Sequence, residues 1–397
     1  MAKDRLGILG GTFNPIHEGH IAMARAAMAG AHLDRVLFLP DSVPPHKTGI
    51  VCAEDRYRMV CAALAHEKNL EPSRMELDRE GTTYTYHTLL ALKKAYPHAE
   101  LFYIIGTDTL MQLHSWYHFP EVIRLATFLV CPRVTPHSPD AVLQERRSLM
   151  EQGGRFQDIA MPIVDISSSQ IRACLKSGQA DTLIPIPVLE YCRIAGYYQL
   201  PLLFPQGKEW LRMLSHDLTA KRFAHTLSVA YTAVNLARNH HLDIRKAEVA
   251  ALLHDCAKCM PLRDMQKVCL EHALTNDAAI ISSGALLHSI AGAYLAASVY
   301  GVEDPDILRA ISCHTTGKIG MTKLDMVVYL ADKIEPTREN YPALAKIRMM
   351  APLSLERAMY ASLESTHEFV KNGSKPLHPQ SVRTMEWLRT LPELQNR

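Results

Sequence analysis

Two spacings of apolar residues divide this chain. Through the first half, short apolar runs alternate with stretches of helical period; through the second, only the helical period persists. The runs at residues 6–9, 36–39, 101–105, 128–131 and 163–166 carry few polar positions and predict strands covered on both faces. Residues 19–29, 54–66, 84–95, 138–152 and 168–176 lie between or after them and predict helices. Strand–helix alternation of this kind predicts a parallel sheet with helices on both faces. Ligands of such sheets sit at the carboxyl ends of the strands.

The pattern changes near residue 200, where Pro201 and Pro205 interrupt it. Beyond them Ala220, Phe223, Ala224, Leu227, Ala230, Tyr231, Val234 and Ala237 recur at helical spacing, as do Ile307, Ala310, Ile311 and His314, and Leu324, Val327, Val328 and Ala331. No strand signal of comparable strength occurs in residues 208–397. The expectation is a multidomain protein, with an α/β domain over residues 1–200 and an all-α domain over residues 201–397. One apolar stretch, residues 278–302, has no Asp, Glu, Lys or Arg and is long enough to span a bilayer. Ser282, Ser283, Gly284, His288, Ser289 and Gly292 interrupt it, so it predicts a buried helix or helix pair instead.

Composition narrows the classes. With 48% hydrophobic and 21% charged residues among 397, the chain can bury two cores. A net charge of +2, with no basic excess in either half, excludes a dedicated nucleic-acid binder. Nine cysteines at irregular spacing do not form a disulfide framework. Residues 1–11 lack the apolar core of a secretory leader. These features predict a cytoplasmic protein that engages neither membrane nor nucleic acid. Homo-oligomerisation is left open.

The first predicted strand runs into Gly10-Gly11-Thr12-Phe13-Asn14-Pro15-Ile16-His17-Glu18-Gly19-His20 and then a helix. Two glycines let a ligand approach the backbone closely, and the helix start beyond favours an anion. His17 and His20, three apart, can face the same phosphates. An ordinary glycine-rich turn with two solvated histidines shares the short pattern, but the eleven-residue string is far more restrictive.

On this string residues 1–200 resemble the bacterial nicotinate-nucleotide adenylyltransferases, within the nucleotidyltransferase superfamily marked by HxGH. The resemblance continues at Pro44-Pro45-His46-Lys47, from Arg79 to Thr85, at Ile105-Gly106-Thr107-Asp108, at Trp116, and from Ile166 to Arg172. It implies a Rossmann-like nucleotidyltransferase fold. It also implies that ATP, with Mg²⁺, is held by Gly10, Gly11, Thr12, Phe13, His17, His20, Gly106, Asp108, Ser168, Ser169 and Arg172. His17, His20 and Arg172 would be catalytic, and Lys47, Thr85, Trp116 and Arg133 would meet the mononucleotide. Two positions depart from the family pattern. His87 stands where an acidic or amide residue is commoner, and Val134 replaces a glycine after Arg133.

The helical half carries His225, His254-Asp255, His288, His314 and Asp332, each in or at the end of a predicted helix. Four imidazoles and two carboxylates suit a pair of divalent transition metals, iron or manganese. Asp255, adjacent to His254, can bridge two ions. Any one of these histidines alone would read as a core residue; burying Asp332 among apolar neighbours without a partner would be expensive. With Arg222-Phe223-Ala224-His225, Leu253 through Lys258, His314-Thr315-Thr316-Gly317 and Leu330 through Arg338, residues 205–380 resemble the bacterial HD-domain symmetrical bis(5′-nucleosyl)-tetraphosphatases. The resemblance implies that Asp255 and Lys258 are catalytic, with Lys258 facing the phosphate chain. Thr315, Thr316 and Arg338 are further candidates for that contact. Cys256 and Cys259 form a CxxC with no second pair, which reads as packing.

Together these resemblances imply a bifunctional enzyme. One half would transfer adenylyl from ATP to nicotinate mononucleotide, giving deamido-NAD and pyrophosphate; the other would cleave diadenosine tetraphosphate into two ADP. Three alternatives stand beside this. The first half could prefer nicotinamide mononucleotide or be another adenylyl or cytidylyl transferase. The second could hydrolyse another nucleotide, such as a guanosine polyphosphate, or be a regulatory nucleotide sensor. A class I aminoacyl-tRNA synthetase is disfavoured, because no KMSKS-type loop or basic extension is present.

Overall fold

A six-stranded parallel sheet is built from β1 (Arg5–Gly11), β2 (Arg35–Pro40), β3 (Leu70–Pro72), β4 (Glu100–Gly106), β5 (Thr127–Cys131) and β6 (Arg155–Asp158), in the order β3-β2-β1-β4-β5-β6. The computed structural model describes residues 4–42, 50–79, 81, 83–164, 166–177, 183–371 and 377–395. Lys47 lies outside them.

The helices accompanying the sheet are α1 (Glu18–Gly30), α2 (Ala53–Leu64), α3 (Thr85–Ala95), α4 (Thr107–Leu110), α5 (Phe119–Leu125), α6 (Pro139–Glu151), α7 (Ser168–Ser177) and α8 (Ile186–Ile194). One sheet face packs Leu6, Ile8, Leu37, Leu39, Tyr103 and Phe128 against Leu89 and Leu92 of α3 and Val122 and Ile123 of α5. The alternate positions Val36, Phe38, Phe102, Ile104 and Leu129 are equally buried. Burial on both faces is why these strands read as unbroken apolar runs. Strand order reverses between β1 and β4, so their carboxyl ends, at Gly11 and Gly106, flank the topological switch point.

Ile163, Val164 and Ile166 do not lie in a strand, contrary to the apolar character of that run. The edge place belongs to β6, whose Arg-Phe-Gln-Asp sequence has no fully buried residue and carries no apolar run. Val164 and Ile166 instead lie beside His17, Gly19 and Arg133, and Ile163 is exposed. The other edge, β3, is three residues long. Short, polar edges resist further pairing, and that same property hides them from an apolar-run reading.

Beyond α8 the described residues are helical: α9 (Gly207–Asp217), α10 (Ala220–Asn239), α11 (Ile244–Leu253), α12 (Leu262–Glu271), α13 (Ala278–Ile281), α14 (Gly284–Ser298), α15 (Pro305–Cys313), α16 (Lys323–Ile334), α17 (Leu344–Met350), α18 (Leu355–Lys371), α19 (Pro379–Arg389) and α20 (Pro392–Gln395). Side chains cap several starts: Thr219 for α10, Asp243 for α11, Asp304 for α15 and Thr322 for α16. The stretch 278–302 is the pair α13 and α14. Among the described residues no helix is long and apolar enough to cross a membrane. All nine cysteines are free.

The chain divides into two compact units, Met1–Leu189 with Tyr197–Leu200, and Glu190–Gly196 with Pro201–Arg397. The second unit therefore begins inside α8. Arg193 of that helix pairs with Glu190 and with Glu248 of α11, and both carboxylates are fully buried.

Candidate functional site

In the first unit, two adjoining cavities of about 410 and 560 Å³ open at the carboxyl ends of β1 and β4. Gly10, Gly11, Thr85, Gly106 and Trp116 line the first, with Arg133 and His20. His17, Asp108, Ser168, Ser169 and Arg172 line the second, again with Arg133 and His20. Thr12 lines both. The absence of side chains at two glycines makes the first cavity possible. A Cβ on Gly10 would stand 2.5 Å from the Tyr103 hydroxyl, and one on Gly106 would collide with Asp108 and Arg133.

The signature loop ends in a close pair of imidazoles. The His17 and His20 ring centroids are 3.7 Å apart, and His20 Nδ1 accepts the His17 backbone N–H at 3.3 Å. That bond fixes the His20 proton on Nε2. Burial, together with the Arg133 cation, lowers the His17 pKa to about 4, so this ring is neutral at pH 7. The start of α7 docks on the same loop: Ser168 Oγ donates to Pro15 O at 3.1 Å, and Arg172 to Asn14 O at 2.9 Å and Ser169 Oγ at 3.0 Å. Two helix starts, each favouring an anion, thus border one cavity.

The remaining predicted residues of this unit are placed less uniformly. Trp116 is half-buried against Tyr103 and Phe128, which anchors its ring at the cavity wall. Arg133 stands at the junction of the two cavities, donating to Ile166 O at 3.1 Å, with Asp108 at 3.7 Å. Phe13 lines neither cavity. It is buried beneath the loop between His20 and Phe38.

Three residues went unnoticed in the sequence. Buried Arg56 donates to Thr12 O, to the Asp41 carboxylate and backbone, and to Ser42 O and Val51 O. Asp41 also accepts from the Thr12 hydroxyl at 2.9 Å. Glu76 lines the first cavity, accepts from Thr88 Oγ1 at 2.7 Å, and is pushed up to about 7 by burial. Nothing in their spacing marks them, because they come from separate elements.

In the second unit the structure brings all six predicted ligands together. His225 lies in α10, His254 and Asp255 follow α11, His288 lies in α14, His314 follows α15, and Asp332 lies in α16. All six are buried. Two groups can each hold an ion: His225, His254 and Asp332; and His254, Asp255 and His314. Asp255 faces both ways. Its Oδ2 is 3.4 Å from His254 Nε2 and 3.9 Å from His225 Nε2, while Oδ1 is 3.0 Å from His288 Nε2 and 3.7 Å from His314 Nε2.

The outer nitrogens explain the inward aim of the rings. Each Nδ1 lies against an acceptor: Ala251 O for His254 (2.6 Å), Ile311 O for His314 (2.7 Å), Gly284 O for His288 (3.1 Å) and Glu335 Oε1 for His225 (3.1 Å). A proton held on Nδ1 leaves Nε2 as the ligating atom. Fully buried His254 Nε2 makes no hydrogen bond, as a ligand awaiting a cation would. The donor set and this orphaned nitrogen fit divalent metal.

Four cations surround the cluster. Arg222 donates to Asp255 Oδ2 at 2.8 Å, Lys333 and Arg338 to Asp332 at 3.0 and 3.3 Å, and Lys258 Nζ lies 3.2 Å from His288 Nε2. Burial would raise Asp255 and Asp332, but the imidazoles facing Asp255 and the Lys333 ammonium beside Asp332 hold both carboxyls well below the usual range. Burial lowers Lys258, His288 and His314. Thr315 Oγ1 pairs with Ser289 and Thr316 Oγ1 donates to Gly317 O, so both hydroxyls have partners within the fold. Cys256 is buried with Sγ on Gly292 O, and Cys259 is exposed. Glu335 and Lys333 were missed as site residues, although both lie in the quoted string around Asp332.

Residues 8–174 match the Cytidylyltransferase-like family model and residues 222–337 the HD domain model. A Mycoplasma genitalium protein described as "Probable nicotinate-nucleotide adenylyltransferase/Ap4A hydrolase" is 29% identical, over 93% of this chain and all of its own. The protein so described from Mycoplasma pneumoniae is 30% identical, over 83% of this chain and 88% of its own. The symmetrical bis(5′-nucleosyl)-tetraphosphatase of Bacillus subtilis is 36% identical, over 46% of this chain and 96% of its own.

Proposed function

Because the chain belongs to the family that joins a nicotinate-nucleotide adenylyltransferase to an HD-domain Ap4A hydrolase, we propose that it carries both activities. In the first, the 5′-phosphate of nicotinate mononucleotide attacks the α-phosphorus of ATP. A P–O bond forms there, the bond to the β-phosphate breaks, and pyrophosphate leaves with its electron pair. No protein nucleophile is needed, so the work is positioning and charge stabilisation. His17, His20, Ser168, Ser169 and Arg172 hold the triphosphate, and Gly106 and Asp108 the nucleoside. Thr85, Trp116, Arg133 and Lys47 hold the mononucleotide. His20 supplies the Nε2–H donor that its bond to His17 enforces. Mg²⁺ bound with ATP would neutralise phosphate charge.

In the second, two divalent transition ions held by His225, His254, Asp255, His288, His314 and Asp332 would supply charge and an activated water. Arg222, Lys258, Lys333 and Arg338 neutralise the polyphosphate, and cleavage at its middle gives two ADP. The observation that carries this reading is Asp255, whose two oxygens face two different sets of histidines. We place both reactions in the cytoplasm, a reading its nine free thiols support.

The test is product identification. The protein is incubated with ATP and each mononucleotide, and separately with diadenosine tetraphosphate and metal. Deamido-NAD and ADP are expected. Equal kcat/KM for the amide mononucleotide would defeat the nicotinate preference, ATP plus AMP would defeat symmetrical cleavage, and an inert, metal-free second unit would favour a sensor.

A further inference from the structure

A cavity in the helical unit, about 680 Å³, lies between the end of α16 with the residues that follow it and the face of α18. Its size falls in the range of small-molecule sites. Lys333 and Arg338 line it, and both also hold the Asp332 carboxylate. The cavity and the ligand cluster therefore share two cations. An anion bound at these cations stands next to the ligand cluster.

The mouth is firmly built. Glu335 accepts from the Thr337 backbone N–H at 2.6 Å and lies 3.1 Å from His225 Nδ1, so one carboxylate fixes both the turn carrying Arg338 and a ligand imidazole. Arg348 donates to Ile334 O and Glu335 O at the end of α16. Away from the cations, the lining changes character to Tyr341, Pro342, Ala343, Ser365 and Thr366, with Glu339 and Glu368. Two carboxylates disfavour a ligand that is anionic along its whole length. They suit one that is anionic at one end and offers hydroxyl or amino groups at the other.

We propose that this cavity receives one nucleoside half of the dinucleoside polyphosphate, with Lys333 and Arg338 meeting its phosphates and Tyr341 its base. This rests on the phosphohydrolase reading above, and it assigns the substrate a direction: out of the ligand cluster, past Asp332, toward α18.

The test uses the full chain. 8-Azido-ADP is photolysed with metal-free protein, with and without excess ADP, and the adducts are mapped by peptide sequencing. Label within residues 338–343 or 362–368, lost with competitor and lost in Ser365→Trp, is expected; label confined to the first unit would overturn the proposal. In metal-loaded protein, Ser365→Trp and Thr366→Trp fill the cavity, whereas Tyr341→Ala removes the stacking ring. Each is expected to raise KM for diadenosine tetraphosphate about tenfold or more, the scale of one base–aromatic stack. kcat should change little and metal content not at all. Unchanged KM in folded, metal-loaded variants overturns the assignment. If the wild type hydrolyses nothing, the phosphohydrolase reading itself has failed, and the photolabel alone then decides the cavity.

Discussion

His20 Nδ1 accepts the His17 N–H, so the ring can offer only Nε2–H to a phosphate oxygen. Removing a single preorganised donor of this kind costs on the order of a hundredfold in kcat. His20→Ala is therefore expected to lose at least that much adenylyl transfer while keeping its thermal unfolding unchanged; near wild-type rates would remove His20 from the mechanism. His17 carries a different consequence. Its pKa is about 4 when folded, because burial and Arg133 disfavour the cation, against 6.5 when unfolded. Below pH 6.5 the unfolded state binds more protons than the folded one, so stability falls as pH drops from about 6.5 to about 4. At roughly 1.4 kcal/mol per pKa unit, the full effect is on the order of 3 kcal/mol. In His17→Gln this loss should vanish. Urea unfolding of both proteins at pH 7 and pH 4.5 measures it, and parallel losses would show that His17 does not titrate in this range.

At the scale of elements, α16 bears most on the second site, since it delivers Asp332 and its end delivers Glu335. It starts at Thr322, whose hydroxyl accepts the Asp325 N–H while the Asp325 carboxylate accepts the Thr322 N–H, and Arg309 braces both. Thr322→Ala is expected to destabilise the second unit by about 1 kcal/mol. Metal content should be unchanged, because the cap lies at the other end of the helix from Asp332; a variant that cannot be loaded would mean the cap sets ligand geometry. The sequence makes such helices legible because their buried stripes repeat. Val327, Val328 and Ala331 announce α16, as Phe223, Leu227 and Val234 announce α10. The six ligands are legible for a related reason: a histidine or aspartate on such a stripe needs a partner. What stays hidden has no local period. Arg56 reaches five backbone and carboxylate acceptors on segments far apart in sequence. Edge strand β6 shows only Arg-Phe-Gln-Asp, and the run holding Val164 and Ile166 imitates a strand because those two side chains lie against the signature loop.

At the scale of the whole chain, each site draws all its described residues from one compact unit. Loss of one activity should therefore leave the other. Asp255 offers an oxygen to each side of the ligand cluster, so Asp255→Ala in the full chain should abolish metal binding and hydrolysis together. Adenylyl transfer should persist at the wild-type rate, and its loss would reveal a coupling that the separate residue sets do not require. The same division says where the chain can be cut. The second unit begins at Glu190, before the prolines that mark the change of pattern near residue 200. Arg193 lies between Glu190 and Glu248, and Glu248 is fully buried. A fragment starting at Ile186 keeps that arginine; one starting at residue 205 leaves Glu248 buried without it. Breaking a buried pair from one side costs about 3–5 kcal/mol, a large share of a domain's stability. The longer fragment is expected to fold, bind metal and cleave diadenosine tetraphosphate, and the shorter one to unfold at much lower urea. Glu248→Gln, which removes the orphaned charge, should recover part of the difference. Equal midpoints for the two fragments would show that Arg193 is not what holds this end of the unit together.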